Sequence, residues 1–138
     1  MRVRLRPTVA ADLAQVTHET LPIRIRAITA VCDGEMEDID RVLGVGGIGY
    51  RTDGVVIGFA AINEEFRRYP LSLHRAGLAM MKVIRETGVP QVIAVADETV
   101  APAQRWLERL GFTRVLERGI ALYVWNASHG AAVRSRHG

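Results

Sequence analysis

The feature that most limits the fold is one amphipathic helix caught between two apolar runs. Leu71 to Thr87 carries apolar side chains at Leu71, Leu73, Leu78, Met81 and Ile84, and basic ones at Arg75, Lys82 and Arg85. That spacing predicts a helix with one buried stripe, stopped by Gly88 and Pro90. Val55 to Ile62 precedes it, and Gln91 to Ala96 (QVIAVA) follows. The second run is apolar without alternation, which is the pattern of a strand buried on both faces. Strand, helix and buried strand in that order make a crossover unit, and its helix must lie on a sheet face.

The rest of the chain adds strands to this unit. Val3 and Leu5 alternate with Arg2, Arg4 and Arg6, a half-buried strand ended by Pro7. Thr8 can cap a helix that carries Asp12, Leu13, Val16 and Leu21. Ile23 to Cys32 is rich in β-branched residues and closes on an Asp33-Gly34 turn. Glu35 to Arg41 reads as an extended loop or a single helical turn. Leu43 to Tyr50 and Val55 to Ile62 form a hairpin around Arg51-Thr52-Asp53-Gly54. The four glycines of Leu43 to Tyr50 are not a dinucleotide loop, because no helix follows them; in a strand they mark a bulge or a close backbone approach. Ala101 to Leu110 is a second amphipathic helix closed by Gly111. A final hairpin, Phe112 to Glu117 and Ile120 to Trp125, turns at Arg118-Gly119. The order β-α-β-β-β-α-β-α-β-β predicts an α/β (α+β) fold: a mixed, mainly antiparallel sheet flanked by helices. Residues 1–125 form one domain and 126–138 a basic tail carrying Arg134 and Arg136.

Composition narrows the function classes. With 138 residues, 49% of them apolar, the chain can build one ordinary core. No run approaches the ~18 apolar residues of a membrane span, and the charged N-terminus lacks a secretory core, so an unsecreted protein is expected. The single cysteine, Cys32, cannot form an internal disulfide, and its neighbours Ala30 and Val31 mark a buried, inert thiol. No metal-ligand spacing is present. The net charge is +3, and only one of the 18 basic residues is lysine, Lys82. An arginine-rich surface suits carboxylate or phosphate recognition, and equally marks a GC-rich genome.

Three stretches, LRPTVAADL, Val55 through His74, and APAQRWLERLGF with its Leu110-Gly111-Phe112 ending, resemble the GNAT superfamily of acyl-CoA N-acyltransferases. The resemblance implies central strands that splay apart, with the backbone around Ile62 and Asn63 holding the pantetheine arm of acetyl-CoA. It implies that the next helix start holds the pyrophosphate. The family loop reads Gln/Arg-x-x-Gly-x-Gly/Ala. Here Arg67 matches the first position, Pro70 replaces the first glycine and Ser72 the second. Proline removes one N–H donor, and Arg67, Arg68 and Arg75 can compensate as cations beside Ser72 and His74. The tyrosine that protonates the leaving thiolate in such enzymes is Leu107 here, and an asparagine near the start of that helix is Val100. Leucine cannot donate a proton. The base candidates are Glu64 and Glu65, then His74 and Asp97.

The phrase from Glu65 to Arg75, together with the segment from Arg105 to Phe112, more closely resembles GNAT-like proteins of tailed phages and prophages, including podovirus internal virion proteins. That likeness implies a virion-associated structural or accessory role with a degraded acetyl-CoA site. The partners would be other virion proteins, DNA held through the arginine-rich tail, or a second copy in a homo-oligomer, and the location the virion or host cytoplasm. The alternative is an active acetyl-CoA-dependent N-acetyltransferase acting on an unspecified amine.

Overall fold

A computed structural model of the chain describes residues 3–16, 24–32, 41–95 and 101–127. The elements are β1 (Val3–Pro7), α1 (Ala10–Ala14), β2 (Arg24–Cys32), β3 (Arg41–Tyr50), β4 (Val56–Ile62), α2 (Glu64–Arg67), α3 (Pro70–Thr87), β5 (Gln91–Ala94), α4 (Ala101–Arg109), β6 (Thr113–Glu117) and β7 (Ile120–Asn126). Among the described residues seven strands form one sheet in the order β1-β2-β3-β4-β5-β7-β6. Every neighbouring pair is antiparallel except β4–β5, the pair joined by the crossover through α3. The mixed, mainly antiparallel sheet read from the sequence is the sheet observed.

Each face of the sheet has its own cover. Val31, Val42 and Val45 are buried against Leu13 and Val16 on the α1 side. On the other face Met80, Met81 and Ile84 of α3 pack with Ile48, Val92, Phe112, Tyr123 and Trp125, and Trp106 and Leu107 of α4 and the following Leu110 lie beside them. The glycines of β3 serve this packing. A Cβ on Gly46 would lie 2.7 Å from Met80 Sδ, and one on Gly47 would collide with the Arg26 carbonyl of β2. Helix and neighbouring strand therefore sit closer to β3 than a side chain would permit.

Local details depart from expectation in five places. The run QVIAVA, expected to be buried on both faces, stops as a strand at Ala94, and Val95 beyond it is 72% exposed because β4 and β5 part there. Val9, not Thr8, is the α1 N-cap position. Thr8 Oγ1 instead bonds Thr29 Oγ1 at 2.9 Å, and the cap is closed from inside, by Asp12 Oδ2 accepting from Val9 N at 2.9 Å. The four-residue α2 fills what reads in sequence as loop. Leu71 and Leu78 are exposed at 68% and 48%, because the buried stripe of α3 is Gly77, Met80, Met81 and Ile84. Finally, β7 runs through Asn126, one residue past the expected strand end, with Gln91 Nε2 donating to Asn126 Oδ1 at 3.2 Å. The Asp33-Gly34 turn, the acidic segment, Asp97, Val100 and the end of the tail lie outside the described residues.

At the turns, Arg118 and Gly119 both have positive φ (51° and 80°), as a tight two-residue hairpin requires. Among the described residues no helix is long and apolar enough to cross a membrane.

Candidate functional site

The one parallel pairing is short. It joins Ile57 to Ile93 and Gly58 to Ala94, while β4 runs on to Ile62 and β5 ends at Ala94. Beyond Gly58 the outer edge of β4 faces an opening. Strand alternation fixes what the backbone offers there. Asn63 N donates to Leu43 O of β3 at 2.9 Å. Neighbouring peptide groups of an extended strand point to opposite sides, so the N–H and C=O of Ile62 and of Ala60 point the other way, into the opening.

The opening leads into a cleft of about 740 Å³. Its walls are Gly47 of β3, Gly58–Ala60 and Ile62 of β4, Ala94 at the end of β5 with Val95 after it, and Pro70, Leu73, His74, Met80 and Ile84 of α3. Arg67 of α2, Phe112, and Ala103, Arg105, Trp106, Leu107 and Arg109 of α4 complete it. Among the described residues the lining is apolar apart from three arginines, one histidine and one indole, with no aspartate or glutamate. None of Arg67, Arg105 and Arg109 takes part in an ion pair or hydrogen bond with a described residue. Three guanidiniums without a charge partner among the described residues, around one cavity, suit an anion.

Two further polar atoms point to a ligand-sized gap in the hydrogen bonding. His74 Nδ1 and Trp106 Nε1 are the buried side-chain polar atoms without a partner among the described residues, and both residues line the cleft. Buried polar groups are paired in the great majority of cases, so a pair of orphans on facing helices is informative.

The helix start at the cleft is also prepared for an anion. Pro70 occupies the first helical position of α3, with no side-chain cap and no acidic residue in the first turn. Proline at that position removes a donor that has no intrahelical partner in any case. The N–H groups of Leu71 and Ser72 remain, as does the positive end of an 18-residue helix. Leu73 N, by contrast, is already bonded to Tyr69 O at 2.9 Å.

The residues singled out from sequence divide into two groups. Ile62, Arg67 and His74 line the cleft. Asn63 is a structural bracket: its Oδ1 accepts from Phe66 N at 2.9 Å, capping α2, and its Nδ2 donates to Val42 O at 3.1 Å. Glu64 is exposed and Glu65 Oε1 accepts from Arg41 Nη2 at 2.7 Å; neither lines the cleft, and α2 is what turns them away. Arg68 and Arg75 are exposed and outside the lining, and so is the half-buried Ser72. Leu107 does line it, where the resemblance places a tyrosine. Ala60, Arg105, Trp106 and Arg109 are cleft residues that sequence reading passed over. The i, i+4 spacing of the two arginines on one helix was the available signal.

Solved structures with this architecture are numerous. The ribosomal-protein-S18-alanine N-acetyltransferase of Escherichia coli matches with a TM-score of 0.66 at 12% identity, over 91% of this chain and 94% of that one. A GNAT-family acetyltransferase of Staphylococcus aureus gives 0.64 at 8% identity, over 91% and 99%. A Bacillus subtilis acetyltransferase, solved in complex with CoA, gives 0.60 at 10% identity, over 91% and 99%. No family model and no curated protein matches the sequence. With its single parallel strand pair opening beneath the start of α3, and with these likenesses over nine-tenths of its length, the chain has the fold of the GNAT acetyltransferases.

Proposed function

We propose that the chain binds a CoA thioester in the β4–β5 cleft and passes its acyl group to an amine. The observation that carries this reading is the parting of β4 from β5, which leaves the peptide groups of Ala60 and Ile62 facing a cleft headed by an uncapped helix. Peptide groups on an open strand edge match the two amides of a pantetheine arm. The N–H groups of Leu71 and Ser72, the helix dipole and Arg67 match a pyrophosphate. The bound thioester supplies an activated acyl group with a tolerable leaving thiolate. Among the described residues of the lining, His74, with its unpartnered Nδ1, is able to accept the proton released by the amine. The carboxylates Glu64 and Glu65 are set aside for that step because neither lines the cleft, and Glu65 is bonded to Arg41.

The virion-associated role rests on short sequence motifs, and the fold likeness carries no link to phage proteins. It is therefore the second reading. A thermal-shift titration with acetyl-CoA, with ATP as a control, separates the two. Ligand at 100 times its dissociation constant stabilises the fold by about 2.7 kcal/mol, a rise of roughly 5–10 °C at this chain length. The proposal expects a saturable rise that Arg67→Ala diminishes. No rise at millimolar acetyl-CoA would overturn it and return the chain to the virion reading.

A further inference from the structure

The start of α3 and Arg67 suit the pyrophosphate of a bound CoA, which leaves Arg105 and Arg109 of α4 without a role. They stand two residues to either side of Leu107 in sequence, about 3 Å along the helix axis in each direction. Leu107 lines the cleft where the resemblance places the residue beside the leaving sulfur. The two arginines are therefore at the reacting end of the cleft, where the acceptor amine must arrive, and both are exposed to solvent. Their i, i+4 spacing puts them one turn apart on one helix face, with Cβ atoms about 5–6 Å from each other. One anionic group can engage both guanidiniums at that separation. Neither has an ion-pair partner among the described residues, and Glu108 between them does not line the cleft. Trp106 Nε1, on the same turn, is a buried donor that also lacks a partner there. The indole is held in place: a Cβ at Gly77 of α3 would lie 2.8 Å from its Cζ2.

We propose that Arg105 and Arg109 select the acceptor: an amine that carries an anionic group of its own, a carboxylate or a phosphate. The inference rests on the CoA reading above and names its substrate class. With three arginines and no carboxylate among the described lining residues, an acceptor whose only charge is its ammonium meets repulsion. An anionic group held by the pair turns that repulsion into attraction and leaves the amine beside the thioester. The same cations lower the pKa of the amine, which favours the neutral nitrogen that reacts. That nitrogen attacks the thioester carbonyl. The C–N bond forms, the C–S bond breaks with its electron pair going to sulfur, and the surplus proton of the amine goes to His74 Nδ1. The products are an N-acyl amine that keeps its anionic group and the CoA thiolate.

Two matched pairs of amines test it on the full chain: glycine against glycinamide, and phosphoethanolamine against ethanolamine, with spermidine as a polycation. Calorimetry reads the binding of acetyl-CoA, then of each amine to the CoA complex, and acetyl transfer gives kcat/KM. The anionic member of at least one pair should bind about tenfold more tightly and react with a higher kcat/KM, the worth of one charged hydrogen bond. The pair with the larger gap tells carboxylate from phosphate. Arg105→Gln and Arg109→Gln should each remove about tenfold of that gap, while acetyl-CoA and the neutral amines bind as they do to wild type. Arg85→Gln, an exposed charge of α3 outside the lining, should leave the gap intact. Melting of each variant without ligand confirms that it folds. Absence of a gap in both pairs overturns the proposal, as does a preference for spermidine or a gap that survives the double variant. Equal weakening of acetyl-CoA and the anionic amine also overturns it, and assigns the pair to the cofactor. Those results leave the CoA reading standing; if acetyl-CoA itself does not bind at millimolar concentration, that reading fails and the acceptor subsite with it.

Discussion

Replacing Asp12 with asparagine should remove a large part of the fold's stability, and in a way that depends on pH. Asp12 is 2% exposed and joins three elements. Arg6 of β1 donates to both carboxylate oxygens, at 2.7 and 2.9 Å; Val9 N donates at 2.9 Å, and Thr29 Oγ1 of β2 at 2.9 Å. The hydrogen bond with Arg6 is the largest cause that holds its pKa at about 2 against an ordinary 3.8, with burial opposing. That lowering is worth about 2.5 kcal/mol of stability at neutral pH. Asparagine keeps the shape but turns an NH₂ toward donors and removes the carboxylate that Arg6 bonds through both oxygens, so the loss should be about 2–4 kcal/mol. At this chain length that is roughly 10 °C of melting temperature. Because the folded pKa is the depressed one, the contribution is complete above 3.8 and fades as pH falls toward about 2. Urea unfolding of both proteins at pH 7, 5, 4 and 3 reads the gap directly, since other carboxylates titrate alike in each. A gap that stays constant from pH 7 to 3, or one below about 0.5 kcal/mol at pH 7, would refute the reasoning.

Other substitutions probe the cleft and its supports. Asn63→Ala removes the α2 cap and the bond to Val42 O; it should cost about 1–2 kcal/mol in denaturant unfolding, and an unchanged midpoint would show the bracket to be idle. Gly77→Val drives a side chain into Trp106 and Leu110, so it should cost about 1–3 kcal/mol and weaken acetyl-CoA binding, read by Trp fluorescence melting and calorimetry. Full stability with native affinity would mean that α4 can move away freely. Leu107→Tyr restores a phenol to a position on the cleft wall. If protonation of the leaving thiolate limits turnover, kcat should rise by about tenfold or more with little change in KM, whereas an unchanged kcat would place the limiting step elsewhere.

The predicted site was legible where a residue's role follows from its own neighbours. Arg67 and His74 flank the start of a helix that the sequence announces, so their nearness to the cleft follows from local order. Glu64 and Glu65 lie on a short helix, α2, outside the cleft lining. Its cap is Asn63 bonded across to Val42 and Leu43, and that partner strand is twenty residues away in the chain. Leu71 and Leu78 misled for a related reason. A periodicity built on apolar side chains cannot see Gly77, whose missing side chain is what lets Trp106 press against α3. Arg105 and Arg109 of α4 line the cleft only through the packing of that helix opposite α3, which the local sequence does not show.

The sequence by itself determined the elements that depend on near neighbours. The run QVIAVA supplied a strand with Val92 and Ala94 buried, Gly88 had to end α3 in a left-handed conformation (φ 77°), and Arg118-Gly119 had to turn a hairpin. These follow from hydrophobic burial and backbone sterics acting over a few residues. The tertiary structure alone decided where β4 leaves β5, which peptide groups of β4 thereby lack a strand to pair with, and which three arginines of the chain converge on the same cleft. Those are outcomes of long-range register and helix packing, in which the position of each residue is set by partners that the local sequence does not name.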